Sequence, residues 1–566
     1  MNLAKLGLGA LNAAQYKLKT AAHNVNNAAV EGYNRQTVLT QTAGAQAMGG
    51  GYVGRGVEAV TINRSYDNFL FQQLVAARGQ NAALSSYSNE IRQVDTLFAD
   101  RSVGISPALE NFFASVNAVA SEPMDPAARE EMLGQANNLA SQVRETNGFL
   151  QNQRSNINTQ ITTVVDQINS YVQRIHDANV QITKARASVS QHEPNDLLDQ
   201  RDQLLSELNE LVGVTVFEQD GTFNLAIGNG QTVLAGNTVY PLRAQPSSDD
   251  PQRTVVAFTA RDGSGAIVGV ELNETYIRGG QLGGLIQYRQ EMLDGLQNDL
   301  GRLAVGLAAA FNQVHGDGYD LHGDAGSSFF SVGGPNIIPS VANPAHANHV
   351  SVEVSTASSL TAADYRVTVN EGGEYVVTNL TTKQKFEPVT DGAEIEGLTF
   401  NLSGTPAPGD HWLVQPTRNA AAQLRVDLTD PSRIAAAGEQ MDETTDPATS
   451  LGVSKGESNG DTALRLAALQ YEKTLGGSDT STGTMSLTEA FSQIVNRVGV
   501  ASQQNATASK AQQSLVEQTY AAQQQLSGVN LNEEYVNLEQ YLEQFRAASR
   551  MIEVSNNMFD TLLNLR

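Results

Sequence analysis

The segment Val529-Asn530-Leu531-Asn532-Glu533-Glu534-Tyr535 begins a run that reaches Arg566 without a proline or a glycine. Within that run, apolar or small residues recur at alternating intervals of three and four, and the set is Leu538, Tyr541, Phe545, Ala548, Ile552, Ser555, Phe559 and Leu562. A 3.5-residue repeat predicts a helix that lies along a second helix. Asn532 is the candidate N-cap, and the two acidic residues after it favour a helix N-terminus.

This apolar stripe requires a partner. Burying one aliphatic or aromatic side chain stabilises a fold by about 1.5–3 kcal/mol, whereas ordering each residue costs about 1–2 kcal/mol. Because only every third or fourth residue belongs to the stripe, the helix alone does not offset the cost of its own ordering. The partner therefore belongs to another part of this chain or to a neighbouring copy.

A matching helix opens the chain. Leu11, Leu18 and Val25 lie seven positions apart, and Ala14 and Ala21 occupy the second position of the same repeat. Small residues on this face allow two helix backbones to approach closely. The pattern predicts that the first and last helices pair, and that they stack with the same helices of neighbouring copies.

The residues that end the first helix carry a family resemblance. The stretch Asn24-Val25-Asn26-Asn27 is followed by Gly32-Tyr33-Asn34-Arg35-Gln36. Together they resemble the N-terminal signature of the bacterial flagellar axial proteins, which comprise rod, hook and hook–filament junction proteins. The chain departs from that signature at Val30, where a threonine often stands. Three further blocks, 194–204, 527–534 and 557–566, resemble the hook-associated protein 1 family within this group.

The resemblance implies a structural subunit of the flagellum that joins hook to filament. It implies export of the unfolded chain through the flagellar type III apparatus without a cleaved signal, assisted by a cytoplasmic chaperone. The implied neighbours are the hook protein, hook-associated protein 3 and further copies of this chain in a ring, on the extracellular flagellum. The expected assembly interface comprises Leu11, Leu18, Val25, Tyr33, Arg35, Leu538, Phe545, Ile552, Phe559 and Leu562. Tyr33 and Arg35 are expected to contact a neighbouring subunit through the turn.

Composition narrows the function classes. The 566 residues include 36 Lys and Arg against 60 Asp and Glu, which gives a net charge of −24. Without a basic cluster, such a chain is a poor ligand for nucleic acid or anionic lipid. The chain has no cysteine, which excludes disulfides, thiolate metal sites and cysteine nucleophiles. No apolar run reaches the ~18–20 residues that span a bilayer.

Periodicity predicts a mainly α fold with β insertions. Helical spacing runs through 127–186, whereas period-two patterns with Asp220-Gly221 and Asn229-Gly230 turns predict β-hairpins. The glycine-rich stretch 40–62 is predicted to form an irregular connector or an extended hairpin. The predicted divisions are a terminal coiled-coil domain (1–40 with 528–566), a long-helix body (41–213 with 273–320 and 450–527), a small β-hairpin module (214–272) and an outer β domain (321–449).

Helix 197–211 is expected to begin at a cap, Asn195 or Asp196. Its charged residues Asp199, Arg201 and Asp202 are expected to form a solvated face.

No catalytic or metal-binding pattern has positive support. Asp317, Asp320 and Asp324 suggest a calcium loop, but Tyr319 and Leu321 stand at positions that need oxygen ligands. His346 and His349 are three residues apart beside Pro344, without an accompanying carboxylate pattern. Catalytic, cofactor and metal sites are therefore not expected. The alternative to a flagellar subunit is a secreted adhesin that binds a ligand through its β modules.

Overall fold

The computed structural model describes residues 3–48, 50–99, 104–187, 192–219, 221–261, 263, 267–343, 350–404, 407–441, 452–477 and 483–564. The helices in this part are α1 (Leu3–Asn27), α2 (Asn68–Ala99), α3 (Ile105–Ser121), α4 (Pro126–Arg186), α5 (Asn195–Leu211), α6 (Gly280–Tyr288), α7 (Asp294–Gly316), α8 (Asp461–Ala468), α9 (Leu487–Ser527) and α10 (Leu531–Asn564). Long helices lie at both ends of the chain and β modules in its middle, which confirms the predicted fold class.

The strands fall into three regions. A hairpin follows α1 and contains β1 (Gln36–Thr42), β2 (Ala45–Met48), β3 (Gly51–Gly54) and β4 (Val57–Arg64). The small β module contains β5 (Val214–Gln219), β6 (Thr222–Ile227), β7 (Gln231–Ala235), β8 (Thr238–Val239), β9 (Leu242–Pro246), β10 (Thr254–Arg261) and β11 (Ile267–Glu271). The third region contains β12 (Phe330–Ser331), β13 (Asn336–Pro339), β14 (Val350–Val354), β15 (Tyr365–Val369), β16 (Tyr375–Asn379), β17 (Lys385–Val389), β18 (Ala393–Ile395), β19 (Leu398–Leu402), β20 (His411–Gln415), β21 (Arg425–Val426), β22 (Glu439–Met441) and β23 (Gly452–Ser454).

Helix α4 is the long helix that the sequence predicts, and it runs through the centre of the body. Asp125 caps it by accepting from the backbone N–H groups of Ala127 and Ala128, and Pro126 occupies the first turn. Its apolar stripe is buried from Met132 to Ile182 and joins one large core with α2, α3, α5, α6 and α7. A stripe of this length needs flanking helices on several sides, which the chain supplies.

The outer strands form a second core. A five-stranded antiparallel sheet has the order β13-β20-β15-β16-β17, and a three-stranded sheet has the order β14-β19-β18. Trp412 is 1% exposed and packs with Val367, Phe400 and Val414 between them. The single tryptophan of the sequence thus anchors the core of this module.

Two predicted helix starts are wrong. Helix α5 begins at Asn195 after Pro194, without a side-chain cap, because the Asn195 amide instead donates to the carbonyl oxygen of Ile62 at 2.8 Å. Helix α10 begins at Leu531, and Asn530 caps it by accepting from the backbone N–H of Asn532 at 3.0 Å.

Of the two alternatives predicted for residues 40–62, the structure shows the extended hairpin. Strand β1 pairs with β4 from Gln36↔Arg64 to Thr42↔Val57, and β2 pairs with β3 in a second, separate ladder farther out. The base of the hairpin lies against α1: a Cβ built on Gly9 would stand 2.7 Å from the Val57 carbonyl oxygen. The hairpin therefore braces α1 on the side away from α10.

Candidate assembly site at the paired chain ends

The partner of α10 is α1 of the same chain. Small residues permit the close approach, since a Cβ built on Gly7 would stand 2.8 Å from Cγ1 of Ile552. Ala14, Ala21 and Ala548 are buried. The Lys17 ammonium lies 5.5 Å from the centre of the Tyr541 ring, which adds a cation–π contact.

The predicted stripe residues are only partly covered by this pairing. Leu11, Leu18, Val25, Leu538, Phe545 and Ile552 are half-buried. Phe559 is 63% exposed, and the side chain of Leu562 lies outside the described part. Pairing of the two helices thus buries only part of their apolar surface.

A second apolar stripe on α10 faces outward. Met551, Val554 and Met558 are 37%, 50% and 58% exposed. Leu3 of α1 joins Met551 and Val554 in lining a groove of about 520 Å³, whose rim carries Arg546 and Arg550. Helical spacing of three and four residues makes this stripe a continuous face, available to a further helix.

The loop after α1 is tied to both helices by Asn24. The side-chain amide of Asn24 donates to the Gln36 carbonyl oxygen at 2.9 Å and to the Glu534 carboxylate at 3.2 Å. Its oxygen accepts from the Gln36 N–H at 2.9 Å and from the Tyr33 hydroxyl at 2.7 Å. Burial, with acidic neighbours that include Asp196, raises the pKa of Tyr33, so its hydroxyl remains a donor.

Arg35 completes this junction. Its Nε donates to Glu534 at 2.7 Å, and Nη1 donates to Glu533 at 3.1 Å. Its backbone N–H donates to the Ser527 carbonyl oxygen at 2.8 Å, where α9 ends. We call Asn24, Tyr33, Arg35 and Glu534 the chain-end junction.

Asp199, Arg201 and Asp202 contradict the expectation of a solvated face, since they are 5%, 2% and 3% exposed. Asp199 accepts from the Asn34 backbone at 2.9 Å and from the Asn34 side-chain amide at 2.6 Å. Arg64 Nη1 donates to Asp199 at 2.8 Å and to Asp202 at 2.7 Å. The two carboxylates tolerate burial because the loop at Asn34 supplies hydrogen-bond donors to Asp199 and Arg64 of β4 donates to both.

Burial raises the pKa of both the Asp199 and the Asp202 carboxyls, and the Arg64 guanidinium opposes that rise. The Arg201 guanidinium stacks over the Phe223 ring, 3.4 Å from its centre. The block 194–204 therefore clamps the loop that follows α1. The residue spacing within the block does not predict this burial, because an amphipathic helix with an exposed charged face has the same pattern.

The structure gives Tyr33 and Arg35 partners inside their own chain. A contact of either side chain with a neighbouring subunit stays a prediction. Sequence reasoning missed Asn24 as a junction residue and Asn34 as the partner of Asp199, and it assigned Glu533 and Glu534 only to the helix dipole. The asparagine-rich end of α1 was the available signal, because buried amides need several partners each.

Among the described residues, no group of three or more acidic or histidine side chains is placed to hold a metal ion. His315 is buried, bonds the Ser327 carbonyl oxygen through Nδ1 at 2.7 Å and accepts from the Ala435 N–H at 2.9 Å. His346 and His349 lie outside the described residues. No described helix combines the length and the apolar character that a bilayer crossing requires.

Comparison with known proteins gives three matching family models. The flagellar hook-associated protein FlgK helical domain matches residues 91–330, and the D2-like domain of flagellar hook-associated protein 1 matches residues 340–416. The C-terminal model of the flagellar basal body rod FlgEFG proteins matches residues 522–565, which include α10.

Full-length relatives agree with these models. Flagellar hook-associated protein 1 of Salmonella typhimurium strain LT2 is 36% identical over 563 residues, 99% of each chain. The Escherichia coli K12 protein of the same name is 34% identical over 564 residues, 99% of this chain and 98% of its own. The solved flagellar hook junction protein FlgK of Burkholderia pseudomallei is 28% identical, with a TM-score of 0.71 over 80% of this chain and 100% of that chain. The chain thus belongs to the flagellar hook-associated protein 1 family, a family of structural proteins and not of enzymes.

Proposed function

We propose that the chain is a structural subunit at the junction between hook and filament of the bacterial flagellum, and that filament assembly requires it. The observation that carries this proposal is the apolar surface left open on paired α1 and α10. Met551, Val554 and Phe559 remain between 37% and 63% exposed on a helix that has already met its partner in the chain. A continuous exposed apolar face of this kind marks an interaction site.

In the assembled state, the outward stripe of α10 packs on the terminal helices of adjacent copies, which together form a ring. Leu11, Leu18, Val25, Leu538, Phe545 and Ile552 bury completely as neighbours close around the pair. Phe559 and Leu562 lie at the interface between copies. Tyr33 and Arg35, at the turn after α1, contact the adjacent subunit while the chain-end junction holds them in place.

Four divisions of the chain then have different tasks. The terminal domain (1–40 with 528–566) builds the inner wall, and the body (41–213 with 273–320 and 450–527) spaces the outer parts from it. The small β module (214–272) and the outer β domain (321–449) face outward and set the surface shape. The buried Arg418, which bonds Asp364 and Asn298, supports a fixed attachment of the outer domain to α7.

The partners follow from this position. The hook protein lies on one side of the ring and hook-associated protein 3 on the other. The chain reaches the extracellular flagellum by flagellar type III export, and a cytoplasmic chaperone covers the apolar α10 before assembly. Names of relatives that place them at the hook junction support this location. A secreted adhesin is not favoured, since the full-length relatives are hook-associated proteins.

Electron microscopy of cells that lack this chain tests the proposal. We expect hooks without filaments, and filament subunits in the culture medium. Return of the full chain restores filaments, whereas a chain that ends before α10 does not. Filaments of normal length on cells without the chain would contradict the proposal.

A further inference from the structure

The outer half of the β2–β3 hairpin touches no other part of the described chain. Every residue of 44–55 whose burial is described is exposed. No heavy atom lies within 4 Å of a Cβ built on Gly44, Gly50 or Gly54. Two strands without a third strand or a covering helix are marginally stable in water. The hairpin tip therefore needs a surface that the chain itself does not provide.

Tyr52 is the anchor that this tip presents. It is 83% exposed, and it pairs across the hairpin with Ala47; the neighbouring pair on the same face is Ala45↔Gly54. These small neighbours leave the phenol ring standing alone on one face of the ribbon. Exposed tyrosines of this kind are typical centres of protein interfaces, because a rigid ring buries much area at a small entropic cost.

The charge of the hairpin selects the type of partner. The outer part of the hairpin, residues 44–55, contains Arg55 and no acidic residue, although the chain as a whole carries −24. Each copy of the chain therefore offers an acidic surface to a hairpin that is locally basic. Complementary charges speed encounter and set orientation, which favours a second copy as the occupant.

A receptor of suitable size lies at the base of the same hairpin. A cavity of about 420 Å³ opens between α1, the base strands and the start of α5, and Val38, Val60, Ile62 and Pro194 supply apolar walls. Glu193 and Asp196 also line it. The volume is sufficient for an aromatic ring, and the two carboxylates make the wall acidic, although Glu193 already pairs with Arg186 and Asp196 already accepts from Gln36.

The tip of the hairpin does not fill the cavity of its own chain. Tyr52 is 83% exposed and is not among the residues that line the cavity, and it belongs to the outer ladder β2-β3, whereas Val60 belongs to the separate ladder β1-β4. A contact between Tyr52 and this cavity therefore joins two chains. Because tip and cavity are different surfaces, the contact is head-to-tail and repeats from copy to copy.

We propose that Tyr52 of one copy enters the cavity beside Val60 of an adjacent copy, whose carboxylates Glu193 and Asp196 attract the locally basic hairpin. This inference rests on the proposed self-assembly and assigns to it a specific contact outside the terminal helices. The hairpin tip then gains the covering surface that a two-stranded ribbon requires.

Photocrosslinking in isolated flagella tests the contact. A photoreactive phenylalanine analogue replaces Tyr52 in the full chain, and the adduct is mapped by mass spectrometry after irradiation. We expect a species of twice the chain mass, with the adduct in residues 59–62 or 192–197. The same analogue at Tyr471, which is 74% exposed, provides the matched control and gives no adduct in those residues.

An adduct mapped to a different protein, or to another region of the second copy, would overturn the proposal. So would the absence of an adduct between copies while the chain is present in the flagella. Val60→Trp fills the cavity and leaves the tip unchanged, so it should reduce incorporation of the otherwise native chain at least several-fold. Normal incorporation of that variant counts against the contact. If the proposed function itself is wrong, the native chain will be missing from the flagella. That result is distinct from all of the outcomes above, in which the chain is present.

Discussion

Arg35 donates from Nε to the Glu534 carboxylate at 2.7 Å, which joins the loop after the first helix to the first turn of the last helix across 499 positions of sequence. Glu534 is 2% exposed, so its charge depends on this guanidinium and on the amide of Asn24. The contact therefore holds the first and last helices side by side where they connect to the body. In the proposed assembly, both ends enter the interface together as this pair.

Arg35→Met should loosen this pair. Loss of the guanidinium leaves Glu534 with one remaining donor, and we expect a cost of about 1–3 kcal/mol, below that of a fully buried pair because Arg35 is partly exposed. Hydrogen exchange in the first turns of α10 should accelerate, while exchange in α4 stays unchanged. Arg546→Met is the matched control: its partner Glu543 is exposed, so about 0.5 kcal/mol or less is expected. Equal effects of the two substitutions would contradict a structural role for the Arg35 pair.

The sequence predicts the helices and strands of this protein, but it does not predict the partners of its buried charged residues. The stripe of α4 and the Asn229-Gly230 turn are local signals, because periodicity and turn chemistry act over a few residues. Asp199 instead depends on Arg64, 135 positions away, and only the folded chain brings that partner close. A charged residue with a distant partner has the same local pattern as a solvated one.

The half-buried face of α10 should be essential for filaments. Phe545→Asp places a carboxylate in the face that meets α1, and burying it there costs several kcal/mol without a partner cation. We expect export and the fold of the body to persist while filaments are lost, as electron microscopy and circular dichroism can record. Gln544→Asp introduces the same charge at an exposed neighbouring position and should leave filaments intact. Normal filaments on Phe545→Asp would refute the role of this face.

The clamp at Asp199 and Asp202 should show a defined pH dependence. Burial raises the pKa of both carboxyls and Arg64 opposes that rise, so Arg64→Leu raises both pKa values further. In the unfolded chain these carboxyls have an ordinary pKa near ~3.9. Between that pH and the raised pKa, the folded state holds protons that the unfolded state releases. Stability is therefore lost as the pH rises through the raised pKa, and the variant should lose about 3–5 kcal/mol near neutral pH and less at about pH 5.

Urea midpoints of Arg64→Leu and of the native chain, measured at both pH values, check this sign. Adding Asp202→Asn to Arg64→Leu removes one unpaired carboxylate and should recover part of the loss at neutral pH. A loss of equal size at both pH values would show that packing, and not charge, is what Arg64 supplies.

The outer β domain should depend on Arg418 for its attachment. Arg418 is 4% exposed and donates to Asp364 at 2.5 Å and to Asn298 of α7 at 3.1 Å. Truncation to Met leaves buried oxygens without donors, at a cost of about 3–5 kcal/mol. Calorimetry should then show a separate transition of the outer domain at lower temperature. The control is Arg425→Met, whose side chain is 67% exposed beside Asp427, and a single unchanged transition in Arg418→Met would contradict the coupling.

In the dilute monomer, about the first 40 and last 40 residues should be the first to be digested. Their helices cover each other incompletely, and Met558, Phe559 and Leu563 remain 58%, 63% and 58% exposed; a helix pair with this little burial offsets only part of its ordering cost. Opening should start at the end of α10 and move toward Glu534, because the chain-end junction holds only its first turn. Limited proteolysis with mass mapping should therefore give the earliest cleavage after Val554 and later cleavage before Leu538, with α4 intact throughout. In assembled flagella the same sites should resist the protease, since neighbouring copies cover them. Protection of both ends in the monomer as strong as that of α4 would mean that the pair is complete without assembly.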